Sequence, residues 1–134
     1  MAQMVKTTTY DAPEKDILLN PDNAFEIGVL VDNTGVSANA EGRKIIPAGT
    51  PVGASTSALL TRNTVLSVTN SAETGANAQG VLRHDVDVTN ATALAPANAT
   101  MVVRGEVDAS KCPTIASASA TALVHIIFVN GGSY

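Results

Sequence analysis

The sequence predicts a mainly β domain, a small antiparallel barrel or clip with one short helix and an extended N-terminal arm. Three observations lead there. Residues 44–53 (KIIPAGTPVG), 78–89 (AQGVLRHDVDVT) and 101–110 (MVVRGEVDAS) each join a β-branched run to a glycine turn, the signature of short strands punctuated by tight turns. Pro47 and Pro51 flank Gly49, so no helix runs through that stretch. Only residues 113–122 read as helical, because Pro113 can occupy a first turn, where its missing N–H costs nothing, and alanines follow.

Along the chain, residues 1–24 stand apart. Thr7, Thr8, Thr9 and Tyr10 precede Pro13 and Pro21, charges of both signs are interspersed, and Ile17, Leu18 and Leu19 form the single apolar knot. Two prolines and little periodicity fit an extended arm, or alternatively a frayed terminus. Residues 25–134 then form one β-rich domain. Residues 25–32 (FEIGVLVD) read as a strand closed by the turn Asp32-Asn33-Thr34-Gly35. Residues 38–42 are loop, and residues 43–46 lead into the proline-flanked bend. Leu59, Leu60, Val65, Leu66 and Val68 predict one or two strands broken at Arg62-Asn63, followed by a polar loop over 71–79.

Over residues 80–88, alternation places Leu82, His84, Val86 and Val88 on a buried face and Arg83, Asp85 and Asp87 on a wet one. Residues 89–100, rich in Ala, Asn and Thr with Pro96, read as loop. Residues 101–108 repeat the design, with Met101, Val103, Gly105 and Val107 opposite Arg104, Glu106 and Asp108. Residues 123–129 (LVHIIFV), apolar on both faces and ended by Asn130-Gly131-Gly132, predict a central buried strand.

Length and composition bound the rest. The 134 residues suit one domain. The chain is 45% hydrophobic but 3% aromatic, without Trp. Burial stabilises by about 25 cal/mol per Å2, and small side chains supply little area, so partner copies are expected to complete the structure. Net charge is −4 and the eight basic residues are scattered, which speaks against nucleic acid as a partner. The single cysteine, Cys112, can form neither an internal disulfide nor a cysteine-based zinc site and reads as a small packed residue. Residues 1–6 lack the apolar core of a signal peptide, and the run over 123–129 is far shorter than the ~20 residues of a membrane helix. Neither secretion nor a membrane is expected, so Asn90-Ala91-Thr92 and Asn98-Ala99-Thr100 are turn residues and not glycosylation acceptors.

Asp85-Val86-Asp87-Val88-Thr89 matches the DxDxT signature of the haloacid dehalogenase-like phosphatases, where two carboxylates on one strand end serve phosphoryl transfer beside Mg2+. That family resemblance also implies a downstream lysine and a later acidic pair on a parallel α/β domain. After Thr89 the chain offers only Lys111, Glu106 and Asp108. The simpler reading is a pair of solvated charges facing Arg83 or Arg104, with a weak divalent-cation site as the alternative. His84 and His125, on apolar strands, read as interior or interface histidines. No GxSxG elbow, P-loop or GxGxxG is present. No catalytic residue, metal or cofactor is expected.

The order of the three leading segments, an "aGt-x-l/v-G" turn, then "a-x-G-V-l-x-x-D-V", then "V-V-x-G-x-V-d", resembles the tailed-phage head decoration proteins of the lambda type. The resemblance spans roughly residues 25–130, and its motifs are short. It implies a homotrimer made in the host cytoplasm. The trimer would bind the major capsid protein on the outer surface of the virion head and hold capsomers together against the pressure of packaged DNA. The lack of tryptophan and the longer loops depart from that family. On this reading the arm residues Thr7, Thr8, Thr9 and Tyr10 bind the capsid, and Ile17, Leu18 and Leu19 anchor the arm's base. A head fibre base or tail subunit is the alternative virion role, and a metal-dependent phosphatase on Asp85 and Asp87 the alternative enzyme.

Overall fold

A computed structural model describes residues 16–130. Eight strands and one helix follow in order: β1 (Phe25–Val31), β2 (Ile45–Ile46), β3 (Pro51–Gly53), β4 (Val65–Val68), β5 (Ala78–Leu82), β6 (Val86–Asp87), β7 (Ala97–Asp108), α1 (Ser117–Ala122) and β8 (Ile126–Val129). The architecture is mainly β, as the sequence predicts. Strands β1, β4, β3, β5 and β7 hydrogen-bond in that order, and β7 returns to β1 to close a five-stranded barrel. Its pairings are antiparallel except β1 with β4; β8 adds to β7, also in parallel, outside the barrel. The pair β2 and β6 lies against one opening, with Ile46 and Val88 in the barrel interior.

Period-2 alternation divides the apolar side chains between two cores. Val29, Val31, Val52, Leu66, Leu82 and Met101 point into the barrel. Their chain neighbours Val81 and Val102 point outward, into a second core with Ile17, Leu18, Val107, Leu123 and Ile126. Val102 and Val107 share that core across an odd spacing, so the alternation of β7 must break between them. Gly105 sits there with φ 151°, a conformation open to glycine and strained for other residues.

The bend between β2 and β3 is the one the prolines predict. Gly49 adopts φ 88° and lies against the side chain of Cys112, which is packed as expected. Its amide donates to Leu82 O at 2.7 Å, and Leu82 N donates to Thr50 O at 3.1 Å, stitching the bend to β5. The turn after β1 is closed by Asp32, whose Oδ1 accepts from Thr34 N at 3.1 Å.

Several elements differ from expectation. Residues 97–100 are strand, because pairing with β1 outweighs the weak β propensity of Ala and Asn: Val31 faces Ala97 and Val29 faces Ala99. Leu59 and Leu60 belong to a turn held by Thr61 N donating to Ser57 O at 2.9 Å, so only β4 forms in that region. The helix begins at Ser117, where Asn70 Oδ1 accepts from Ala116 N at 2.7 Å and the buried Ser119 hydroxyl donates to Thr69 O at 2.5 Å. Six residues are too few for a self-supporting helix, so these side-chain bonds supply what helix propensity does not.

The apolar run over residues 123–129 is not a central strand. Leu123 caps α1, residues 124–125 turn, and among the described residues β8 is paired on one side only. Leu123 and Ile126 enter the second core, while Val124 and Ile127 are 73% and 57% exposed.

Ile17 is fully buried and Leu18 nearly so. Leu18 bridges antiparallel to Val107, Asp108 N donates to Ile17 O at 2.8 Å, and Leu19 N donates to Glu106 O at 3.0 Å. Residues 17–19 thus act as a short strand on the side of β7 opposite β8, although they precede Phe25. Truncating Ile17 removes packing from a closed core, so Ile17→Ala is expected to cost about 2–5 kcal/mol. Leu19→Ala, at a half-exposed position, should stay within about 0.5 kcal/mol of the parent. Urea denaturation of both variants checks this, and equal midpoints would mean that residue 17 lies outside the cooperative fold.

Candidate functional site

The DxDxT string begins just after a bend. The chain bends at Arg83 and His84 between β5 and β6, so the alternation restarts and the strand expected over residues 80–88 becomes two. His84 is exposed and not interior, because it falls in that bend. His125, in the turn before β8, is exposed as well.

Each carboxylate of the string is engaged by its own surroundings. Asp85 Oδ1 accepts from Ala48 N at 2.7 Å, holding the proline-flanked bend. Asp87 Oδ1 accepts from Thr89 N at 3.0 Å and from the Thr89 hydroxyl at 2.6 Å. Thr89 Oγ1 in turn accepts from Lys44 N at 2.9 Å, and Asp87 Oδ2 pairs with Arg43. The partner of Asp87 is therefore Arg43, across the β2/β6 pair, and neither Arg83 nor Arg104. The three side chains fasten β6 to the segment leading into β2. A shallow polar groove of about 440 Å3 lies beside them, lined by Arg43, Asp87, Thr89, Asn90 and Pro96. Among the described residues no three His, Cys, Asp or Glu side chains gather as a metal site would require. No described helix is long and apolar enough to cross a membrane.

Arg83 has other work. It pairs with Glu26 on β1, and its Nη2 lies 3.4 Å from Asp16 Oδ2. Asp16 Oδ1 also accepts from Leu18 N at 3.1 Å, and its backbone carbonyl accepts from Lys111 Nζ at 3.5 Å. Groups from the bend after β5 and from the turn after β7 thus meet at Asp16, and Arg83 links it to Glu26 on β1.

Two sets of apolar side chains remain in solvent, toward opposite ends of the barrel. At the end where β1 finishes and β7 begins, Leu60 is 89% and Leu94 98% exposed. Both sit on hydrogen-bonded turns: Thr92 and Ala95 exchange backbone bonds of 3.1 Å around Leu94. Toward the other end, register places Leu19, Glu106 and Ile127 in one row across the short strand over 17–19, β7 and β8.

Of the candidate site residues, Thr7, Thr8, Thr9 and Tyr10 lie outside the described residues. Ile17 and Leu18 are buried in the chain's own core, where they anchor the segment leading to the arm and are withdrawn from any external surface. Leu19 alone of that knot is half-exposed. Leu60 is read in sequence as part of a strand and lies instead on an exposed turn, and Leu94 and the Arg83 cluster escape sequence reading. No periodicity marks an isolated leucine in a polar loop, and the cluster joins residues separated by up to 95 positions.

Comparison with known protein families and with curated proteins finds no match.

Asparagine at 85 and 87 keeps the oxygen that accepts the backbone N–H and gives up only an exposed ion pair, worth about 0–1 kcal/mol. The double variant Asp85→Asn/Asp87→Asn is expected to unfold within about 1 kcal/mol of the parent. Asp85→Ala, which leaves Ala48 N–H without its acceptor, should cost about 1 kcal/mol or more. Urea midpoints check the order, and a double variant that stays folded yet loses biological function would point back to carboxylate chemistry.

Proposed function

We propose that this chain is a capsid decoration protein of a tailed phage, a virion part of the lambda-type class that binds the outer surface of the head shell and stabilises it against the pressure of packaged DNA. The observation that carries the reading is the placement of the three motif segments. They occupy adjacent ladders, β3 beside β5 and β5 beside β7, with Val52 opposite Gly80 and Val81 opposite Val102. Sequence elements scattered over more than 60 residues thus make one continuous wall of the barrel, as expected if the pattern reflects a shared fold and not chance.

The surface chemistry agrees with an assembly role. Leucines held on rigid turns in solvent are an expense for a lone monomer and an asset for a subunit that docks on another surface. The row formed by Leu19, Glu106 and Ile127, beside the edge of β8 that no described strand covers, would meet a neighbouring copy in a homotrimer. The major capsid protein would be the second partner. Thr7, Thr8, Thr9 and Tyr10 have the β propensity to add a strand to a sheet edge of the shell, where backbone hydrogen bonds supply affinity without much apolar area.

Purified shells lacking decoration, mixed with the protein and imaged, are the direct test. The expected result is density on the outer face and a higher shell melting temperature. Absence of binding to shells, or binding to tails alone, would overturn the reading. Deleting residues 2–14, which spares Asp16 and Ile17, should barely move the barrel's melting temperature while shell binding drops sharply. Sedimentation should show an oligomer, free or on release from shells, and a monomer binding as single copies would refute the trimer.

A further inference from the structure

Register sets Leu19, Glu106 and Ile127 side by side on the short strand over 17–19, β7 and β8, and two residues back along β7 Phe25 stands opposite Arg104. Leu19 and Phe25 are each 46% exposed. A Cβ at Gly105, between the two charged residues, would point at Ala24 and Leu18 in the second core. Arg104 and Glu106 therefore face the other way, together on the solvent side of the strand. The ion pairs of the described residues are made by Arg43 with Asp87 and by Arg83 with Asp16 and Glu26. Neither Arg104 nor Glu106 takes part in them.

Two opposite charges on alternate residues of one strand stand about 6.6 Å apart at the backbone. A symmetry axis passing between them sets each opposite its counterpart on a second copy, so the face is complementary to itself. The net charge of −4 makes copies repel at a distance, and an apolar row alone would accept several registers. Opposite charges at fixed places select one.

We propose that this face is a contact between copies of the chain, in which Arg104 of one copy pairs with Glu106 of the next while Leu19, Phe25 and Ile127 pack around the pair. The inference rests on the homotrimer of the decoration reading only for the number of copies; the charge pairing serves two copies as well as three. Three half-exposed side chains fall short of the roughly 800 Å2 per partner that a stable interface buries. The apolar contact is therefore weak by itself, and the charges decide whether it forms.

The test is sedimentation of the full chain, with melting curves to show that each variant is folded. The parent should associate, and less so at high salt. Arg104→Glu and Glu106→Arg should each weaken association by about tenfold or more, because like charges then face each other. The doubly reversed chain, Arg104→Glu/Glu106→Arg, should associate like the parent. An equimolar mixture of the two single variants should form mixed oligomers that neither forms alone. Ile127→Ser should weaken association in every charge background. Single reversals that leave association unchanged would overturn the proposal, as would reversals that neither the double variant nor the mixture rescues. A parent that is monomeric both free and on release from shells would do the same. Loss of shell binding in Arg104→Glu with unchanged sedimentation would assign this face to the shell, and so also overturn it. A parent that shows the rescue pattern but never binds shells would instead defeat the decoration reading and leave the contact between copies standing.

Discussion

Everything in this molecule hangs on β7. The strand closes the barrel against β1 through residues 97–104, lies beside β5 at Val102 and Met101, and then carries β8 on one edge and Leu18 on the other through Gly105 to Asp108. Met101 faces the barrel interior and Val102 the second core, so one strand is the shared wall of both. Closure by β7 also removes the free edges that a five-stranded open sheet would present. The edge of β8 that no other described strand pairs with lies outside the barrel, on a strand the closure does not need.

Closure also explains the composition. Low aromatic content reads, from the sequence alone, as a thin core that wants partners. A barrel of five strands, however, has a narrow interior, and its walls answer with small residues: Val29 opposite Ala99 and Val31 opposite Ala97. Alanine and valine are there because larger side chains would not fit, so composition by itself is no argument for assembly. The argument for assembly lies on the surface, where Leu60, Leu94, Val124 and Ile127 stay in solvent while smaller apolar groups are buried.

The strands that carried their own alternation and turn chemistry were legible: β1 with its Asp32 turn, the bend around Gly49, β4 and most of β7. Elements whose state is decided by a distant partner were not. Residues 97–100 lack β formers and become strand only because β1 needs a neighbour. Residues 123–129 look like a buried strand because local hydrophobicity cannot tell that the chain must first end α1 and turn before pairing. The burial of His84 failed for a related reason: alternation is evidence only as far as the strand is unbroken. The bend at Arg83 and His84 turns His84 into solvent, while Val86 and Val88 beyond it still pack on the core and Asp85 and Asp87 stay exposed.

The same limit governs the chemistry. Asp85 and Asp87 have the spacing of a nucleophile and its acid/base partner, but in the fold each carboxylate is bound to a different structural partner. Here Oδ1 of Asp85 holds the amide of Ala48, and Oδ1 of Asp87 holds both donors of Thr89 while Oδ2 faces Arg43. The motif is better understood as a fastener, in which two side chains replace the backbone bonds that a two-residue strand such as β6 is too short to make. The Arg83 cluster shows the converse. Its members share no motif, yet Asp16, Glu26 and Arg83 meet because β1, the bend after β5 and the strand formed by residues 17–19 are all positioned by β7, directly or through one neighbour. Spacing in sequence presents the two aspartates as a pair, where the fold gives each its own structural partner, and the fold gathers charge where spacing gave no sign.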